Sequence, residues 1–163
     1  MVGVLAAKAK AFAQQECSHR GFIIKRIVRW EDCVGAWGSG SFENDDAADW
    51  LAQLGTIAPD DLTKIFGQAA DDTTYFEAPA ARVVVAAAEV VAALKGSPVK
   101  GVPPEIVKWT TNRQKPTPEL KALALRALDR VRKNSELKDL WLEADGLNDW
   151  TAAIQDLQTR VGS

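Results

Sequence analysis

One apolar segment, from about Phe76 to Leu94, limits the folds open to this chain. After Glu77 its only charged residues are Arg82 and Glu89, and alanine and valine fill most other positions. Its valines would also suit a strand, but its length and alanine content favour a helix. A helix that is apolar on nearly every face is buried on most sides. We therefore predict a central helix around which the other elements pack.

The segments on either side of this central helix have helical apolar spacing. The patterns run over Ala47–Leu54, Leu62–Ala69, Ile106–Trp109, Leu120–Val131, Leu137–Trp141 and Trp150–Val161. Prolines at first helical positions and N-cap residues mark several starts, among them Pro59, Thr117 and Ser135. With 163 residues, 47% of them hydrophobic, the chain is long enough to bury one sizeable core. We predict an all-α fold, a single compact domain of about seven helices around the Ala/Val-rich central helix.

Residues 1–33 differ from the rest of the chain in composition. They contain both cysteines, the one histidine and the one methionine, and six Lys/Arg against three Asp/Glu, a net charge of +3. Residues 34–163 contain fourteen Lys/Arg against nineteen Asp/Glu, a net charge of −5. The apolar residues of the first part fit neither a helical nor a strand period cleanly. We predict a poorly packed N-terminal extension over 1–33 and a helical domain over 34–163.

The composition limits both the cellular compartment in which the protein is expected and the classes of partner that it could bind. Two cysteines near one end, Cys17 and Cys33, do not make a disulfide framework, which favours a reducing compartment and hence the cytoplasm. Lys8 and Lys10 interrupt the apolar start, so it lacks the h-region of a signal peptide, and no later run approaches membrane-spanning length. An acidic body also argues against nucleic acid, which requires a clustered basic surface. We expect neither a nucleic acid nor a membrane as partner.

From Val34 onward the chain lacks histidine and cysteine, the usual general base near neutral pH and the best uncharged nucleophile. Carboxylates, lysines, hydroxyls and the lone Tyr75 remain. Hydrolysis by paired acids needs two carboxylates that face one cleft, and no spacing here selects such a pair. We predict no catalytic residues and no cofactor.

The most specific sequence motif in the chain runs from Gly35 to Trp50, GAWGSGSFENDDAADW, and we call it the signature segment. It resembles the opening of an uncharacterised bacterial family, domain of unknown function 4259. Further parts are similar to that family, namely Tyr75–Pro79, Ala86–Leu94, Leu123–Leu128, Asn134–Leu137 with Trp141, and finally Trp150. The resemblance spans residues 35 to about 160. It implies a helical fold and a bacterial, cytoplasmic protein, and it brings no activity and no catalytic residues.

In this family the signature looks like the extreme N-terminus, with an initiator methionine where this chain has Val34. The resemblance thus suggests that residues 1–33 come from an upstream start assigned in place of the true start at Val34. A genuine basic tail is the alternative interpretation. The codon for Val34 and the bases upstream of it would separate the two.

The glycines at 38 and 40 superficially resemble a phosphate-binding loop, but the residues after them exclude it. Carboxylates follow at the helix terminus that a phosphate needs positive, and no Lys-Ser/Thr pair follows the glycines. The structural interpretation makes Trp37 and Phe42 buried anchors and Asn44 or Asp45 the helix cap.

Three carboxylates of this segment, Asp45, Asp46 and Asp49, converge on one flank of the helix at i, i+3 and i, i+4 spacing. A hard cation such as Ca²⁺ or Mg²⁺ would offset their repulsion, but the spacing does not match an EF-hand loop. Capping, the helix dipole and partial pairing with arginine are the favoured explanation of the three carboxylates. We predict no metal ion here and keep the three residues as candidate binding residues.

Glu89 is unusual because it is a carboxylate within an alanine and valine helix. A buried charge there must be paired or protonated. Arg126, within Leu-Ala-Leu-Arg-Ala-Leu, is the first candidate partner, and the indole N–H of Trp37 or Trp50 is the second. A structural polar network and a ligand-binding or catalytic carboxylate both remain open.

The sequence favours a non-catalytic protein-interaction module, for example an immunity or antitoxin-like partner of a basic effector, because an acidic body steers association with basic proteins. The alternative is a metal-binding or small-ligand-binding domain, or a carboxylate-based hydrolase. The candidate binding residues are Trp37, Asn44, Asp45, Asp46, Asp49, Glu89 and Arg126. Exposed aromatic patches would support the first interpretation and carboxylates converging in a cleft the second.

Overall fold

The computed structural model of the chain describes residues 40–71 and 74–163. Within these ranges the chain forms seven α-helices and one short 3₁₀ turn, Leu54–Thr56. The helices are α1 (Asp45–Ala52), α2 (Pro59–Asp71), α3 (Ala78–Lys95), α4 (Pro104–Thr110), α5 (Pro118–Lys133), α6 (Glu136–Glu143) and α7 (Leu147–Gly162). The predicted all-α class and the number of helices are confirmed for the described residues.

Helix α3 is the central element, as predicted. It contacts each of the other six helices, and its residues 84–92 are all buried. Alanines at 86, 87 and 88 have no exposed surface, which allows the neighbouring helices to approach closely. Gly96, at φ +99°, ends the helix in the left-handed conformation that glycine adopts without strain.

Two later helices begin at the residues predicted to start them, Thr117 as a cap and Ser135 as a restart of the helix. The Thr117 side chain accepts a hydrogen bond from the backbone N–H of Leu120, and the Ser135 side chain accepts one from Lys138. Each side chain satisfies a donor that a helix start leaves without an intrahelical partner. These two caps therefore mark where α5 and α6 begin.

The predictions for residues 1–33 and for Trp37 lie outside the described residues, as does the predicted boundary at 33/34. The described residues all belong to one unit, Ser39–Ser163. None of the helices described here combines the length and the apolar character needed to cross a lipid bilayer.

Candidate functional site

The described part of the signature segment, Gly40–Trp50, is a turn followed by the start of α1. Oδ1 of Asn44 accepts a hydrogen bond from the backbone N–H of Ala47 at 2.8 Å, so Asn44 rather than Asp45 is the N-cap. The Glu43 carboxylate reaches back and accepts from the Gly40 N–H at 2.7 Å. These contacts hold the turn and the helix start together, which is a structural role for the middle of the segment.

Replacing Asn44 by Ala should lower the free energy of unfolding by about 1 kcal/mol, because the buried Ala47 N–H then loses its acceptor. Asn44→Asp is the matched control, since a carboxylate oxygen also caps a helix and should retain most of the stability. Urea unfolding followed by tryptophan fluorescence measures both variants. Equal losses in the two would contradict a capping role.

The signature segment is attached to the central helix by two polar contacts. The Ser41 hydroxyl donates to Oε1 of Glu89 at 2.8 Å. The Arg82 guanidinium donates to Oδ2 of Asp46 at 2.7 Å, with only 11% of the Arg82 side chain exposed. Ser41 and Asp46 thus contact α3 about two helical turns apart, which fixes both the position and the direction of α1 on its surface.

Glu89 is held as a buried ion pair. Its residue surface is 1% exposed, and Arg160 of α7 binds both carboxylate oxygens, with Nη1 to Oε2 at 2.7 Å and Nη2 to Oε1 at 2.8 Å. Such a two-point contact is the strongest geometry for an arginine and a carboxylate. Hydrogen bonding to Glu89 raises the pKa of Arg160; burial opposes this, and a further bond to Asp156 at 2.6 Å adds to it. Glu89 and Arg160 therefore form a two-point salt bridge that joins α3 to α7.

The prediction that Arg126 pairs with Glu89 was wrong. Arg126 lies on an exposed surface of α5, where it donates to Oδ1 of Asp71 at 2.8 Å. The true partner, Arg160, is 71 residues from Glu89 in sequence, so no periodicity of the chain links the two. The prediction that a buried Glu89 is paired or protonated is resolved in favour of pairing.

The three aspartates of the segment do not form a common site. Asp45 and Asp49 are exposed, while Asp46 is partly buried and bonded to Arg82. In residues 40–71 and 74–163, no group of three or more His, Cys, Asp or Glu side chains is placed to hold a metal ion. Of the candidate residues, Asp46 and Glu89 thus take part in contacts between the signature segment and α3, Asn44 caps α1, and Arg126 lies on α5.

A second surface, which the sequence reasoning missed, lies where α6 meets the chain before α3. We call it the acidic face and define it by Tyr75, Glu136, Asp139, Leu142 and Glu143. Tyr75 is 58% and Leu142 is 54% exposed, and these are two of the three large hydrophobic side chains that are exposed among the described residues. The sequence does contain a signal for it, because positions 136 to 149 include five Asp/Glu and one Lys.

Backbone contacts hold the acidic face in place. The Glu136 N–H donates to the carbonyl of Phe76 at 2.9 Å, and the Glu136 carboxylate accepts from the Ala78 N–H at 2.8 Å. Each segment thus caps the other, so Tyr75 is presented beside the first turn of α6. Partial desolvation raises the pKa of Tyr75, and the carboxylates at 139, 136 and 143 raise it further.

An apolar groove adjoins this face. It is lined by Ile65, Gln68, Ala69 and Asp71 of α2, by Phe76, and by Ala80, Val83 and Val84 of α3, and it encloses about 620 Å³. Phe76 is the residue after Tyr75, so the groove and the acidic face meet at this short segment.

Comparison with known proteins gives one family. The model of the family described as Domain of unknown function (DUF4259) matches residues 35–153. No match to the chain was found among curated proteins or among solved structures.

Proposed function

We propose that this chain, which belongs to the family Domain of unknown function (DUF4259), is a non-catalytic module of the bacterial cytoplasm that binds a basic protein partner. The acidic face is the observation that carries the proposal. It combines an exposed aromatic ring with carboxylates whose positions are fixed by helix α6 and by the capping contacts of Glu136. This chemistry suits the lysine and arginine side chains of a partner, as in an immunity or antitoxin-like inhibitor of a basic effector.

The components of this face have different physical roles in such a complex. Tyrosine is among the residues that dominate binding energy at protein interfaces, because it buries a large area and loses few rotamers. Its ring also attracts an arginine or lysine placed over it. The carboxylates accelerate encounter with a basic surface and disfavour acidic proteins. Asp139 has one lysine near it, Lys138, at 3.6 Å, so the face keeps an excess of negative charge.

The contacts of Glu89 favour a structural role over a catalytic one. Oε1 accepts hydrogen bonds from Ser41 and Arg160, and Oε2 accepts one from Arg160. A carboxylate whose two oxygens already accept these hydrogen bonds is poorly suited to accept a proton from a substrate or to donate one to it. The alternative hydrolase also needs a second carboxylate that faces the same cleft, and Asp46, the aspartate of the segment that is bonded to α3, is engaged by Arg82.

Capture from a lysate of the source cell tests the proposal, with the full chain as bait and mass spectrometry as readout. The test variant is Asp139→Asn/Glu143→Gln, which removes two charges from the acidic face. The matched control is Asp45→Asn/Asp49→Asn, which removes two charges from the exposed flank of α1. We expect the wild type and the control to retain a stoichiometric basic protein and the test variant to lose most of it.

Two outcomes of the capture would contradict the proposal. If no protein is retained in stoichiometric amount, the chain is not an interaction module under cellular conditions. If the partner is lost from the α1 control and kept by Asp139→Asn/Glu143→Gln, the interface lies on the signature segment instead. Circular dichroism of each variant checks that the helical fold is unchanged.

A further inference from the structure

We infer that the groove between α2 and α3 receives an apolar side chain of the same partner, from a segment that carries lysine or arginine next to that side chain. This inference rests on the proposed function and adds the second half of the interface. It commits to a basic, amphipathic segment of a protein as the occupant.

The groove has the shape and chemistry of an anchor pocket. Phe76 and Val84 are buried at its floor, while Ile65 and Val83 are partly exposed along its sides and Ala80 is exposed at its edge. A volume of about 620 Å³ is large enough for one or two large apolar side chains of a partner and is within the range of binding pockets in proteins. Hot spots at interfaces are apolar anchors in such pockets, surrounded by polar contacts.

The charges around the groove decide what kind of side chain enters it. At one end Asp71 is already paired with Arg126, and the Arg130 guanidinium lies over the Phe76 ring at 5.3 Å from its centroid. A cation of the partner would meet these two arginines at the groove, whereas an apolar side chain would not. The excess carboxylates, at positions 136, 139 and 143, belong to the acidic face and act on Tyr75.

The adjacency of Tyr75 and Phe76 in the chain determines the order of charged and apolar side chains that we expect in the partner segment. Tyr75 belongs to the acidic face and Phe76 lines the groove, so a single peptide bond of the chain joins the two surfaces. A bound segment that crosses here would place its cations against Tyr75 and Asp139 and its apolar side chain against Phe76. Charges at the rim give speed and selectivity, while the buried apolar anchor supplies most of the affinity.

Two synthetic peptides of identical lysine, leucine and alanine composition serve as probes. In the patterned peptide the leucines follow i, i+3, i+4, i+7 spacing and form one face, and in the scrambled peptide they do not. Each is titrated into the full-length ¹⁵N-labelled chain. We expect the patterned peptide to bind at least tenfold more tightly and to shift the amide signals of Ile65, Ala69 and Val83, whereas the scrambled peptide shifts signals only near Tyr75 and Asp139.

Filling the groove supplies the decisive variant. Ala80→Phe places a ring at the exposed edge of the groove without adding charge, and Ala152→Phe, at an exposed position of α7, is the matched control. We expect Ala80→Phe to abolish the preference, so that the Kd values of the patterned and scrambled peptides become about equal. Ala152→Phe should leave the ratio of the two Kd values unchanged. Asp139→Asn/Glu143→Gln should weaken both peptides by similar factors.

The outcomes separate this inference from the proposed function. If both peptides bind the wild type equally, or if Ala80→Phe keeps the preference, the groove is not part of the interface, while binding to the acidic face stands. If neither peptide binds, or if Asp139→Asn/Glu143→Gln binds both as well as the wild type does, the acidic face fails and the groove inference fails with it.

Discussion

Glu89→Gln will lower the free energy of unfolding by about 3 kcal/mol, close to the lower limit for removing one partner of a buried ion pair. The amide keeps the shape of the carboxylate, but it removes the negative charge and presents an N–H group to the Arg160 guanidinium. The arginine keeps its bond to Asp156 and is 16% exposed, which limits the loss. Chemical denaturation at neutral pH measures the change as a shift of the midpoint.

The double variant Glu89→Leu/Arg160→Met separates two contributions to the free energy of unfolding. One is the loss caused by leaving a single charge unpaired, and the other is the net contribution of the intact ion pair. Arg160→Met alone leaves the Glu89 charge buried without a cation, and we expect it to destabilise the protein at least as much as Glu89→Gln. Apolar replacement of both partners should restore stability to within about 1 kcal/mol of the wild type, since a well-packed apolar pair often matches a buried salt bridge. An unchanged midpoint for Glu89→Gln or a further loss in the double variant would contradict this account.

The second large effect concerns the packing around α3. Ala87→Leu adds three carbon atoms at a residue that has no exposed surface on the helix that contacts all six others. We expect a loss of about 3 kcal/mol, the upper end for overpacking, because backbone shifts at α3 disturb several interfaces at once.

The matched control for this packing effect is Ala122→Leu. It makes the same substitution at an exposed position of α5, where both residues are good helix formers. Its midpoint should stay within about 0.5 kcal/mol of the wild type. Similar midpoints for Ala87→Leu and Ala122→Leu would show that α3 tolerates larger side chains and that alanine is not required for the close approach of its neighbours.

The helices were predictable from the sequence because local rules decide them. Apolar periodicity located the helices around α3, and length and alanine content located α3 itself. Thr117 and Ser135 marked helix starts through contacts made within three residues. The central position of α3 followed from the absence of a polar face. Asn44 as the cap of α1 was one of two alternatives, and the backbone of the turn decided between them.

The partners of the charged residues could not be predicted in the same way. Arg160 reaches Glu89 only because α7 packs on α3, and its own sequence neighbourhood is that of an ordinary amphipathic helix. Arg126 sits in an apolar pattern yet extends its head group to the surface, as long basic side chains do. The acidic face was missed because Tyr75 and Asp139 are 64 positions apart and are brought together by the capping contacts of Glu136.

The most direct test of the central claim, that the chain binds a basic protein through the acidic face, is a calorimetric titration of the captured partner with Tyr75→Ala. We expect its Kd to rise about 30-fold, equivalent to about 2 kcal/mol, as for a tyrosine at the centre of an interface. The control Asp45→Asn/Asp49→Asn should change it by less than about twofold, as expected of charges outside the contact. An unchanged Kd for Tyr75→Ala, or an equal loss in both proteins, would contradict the account.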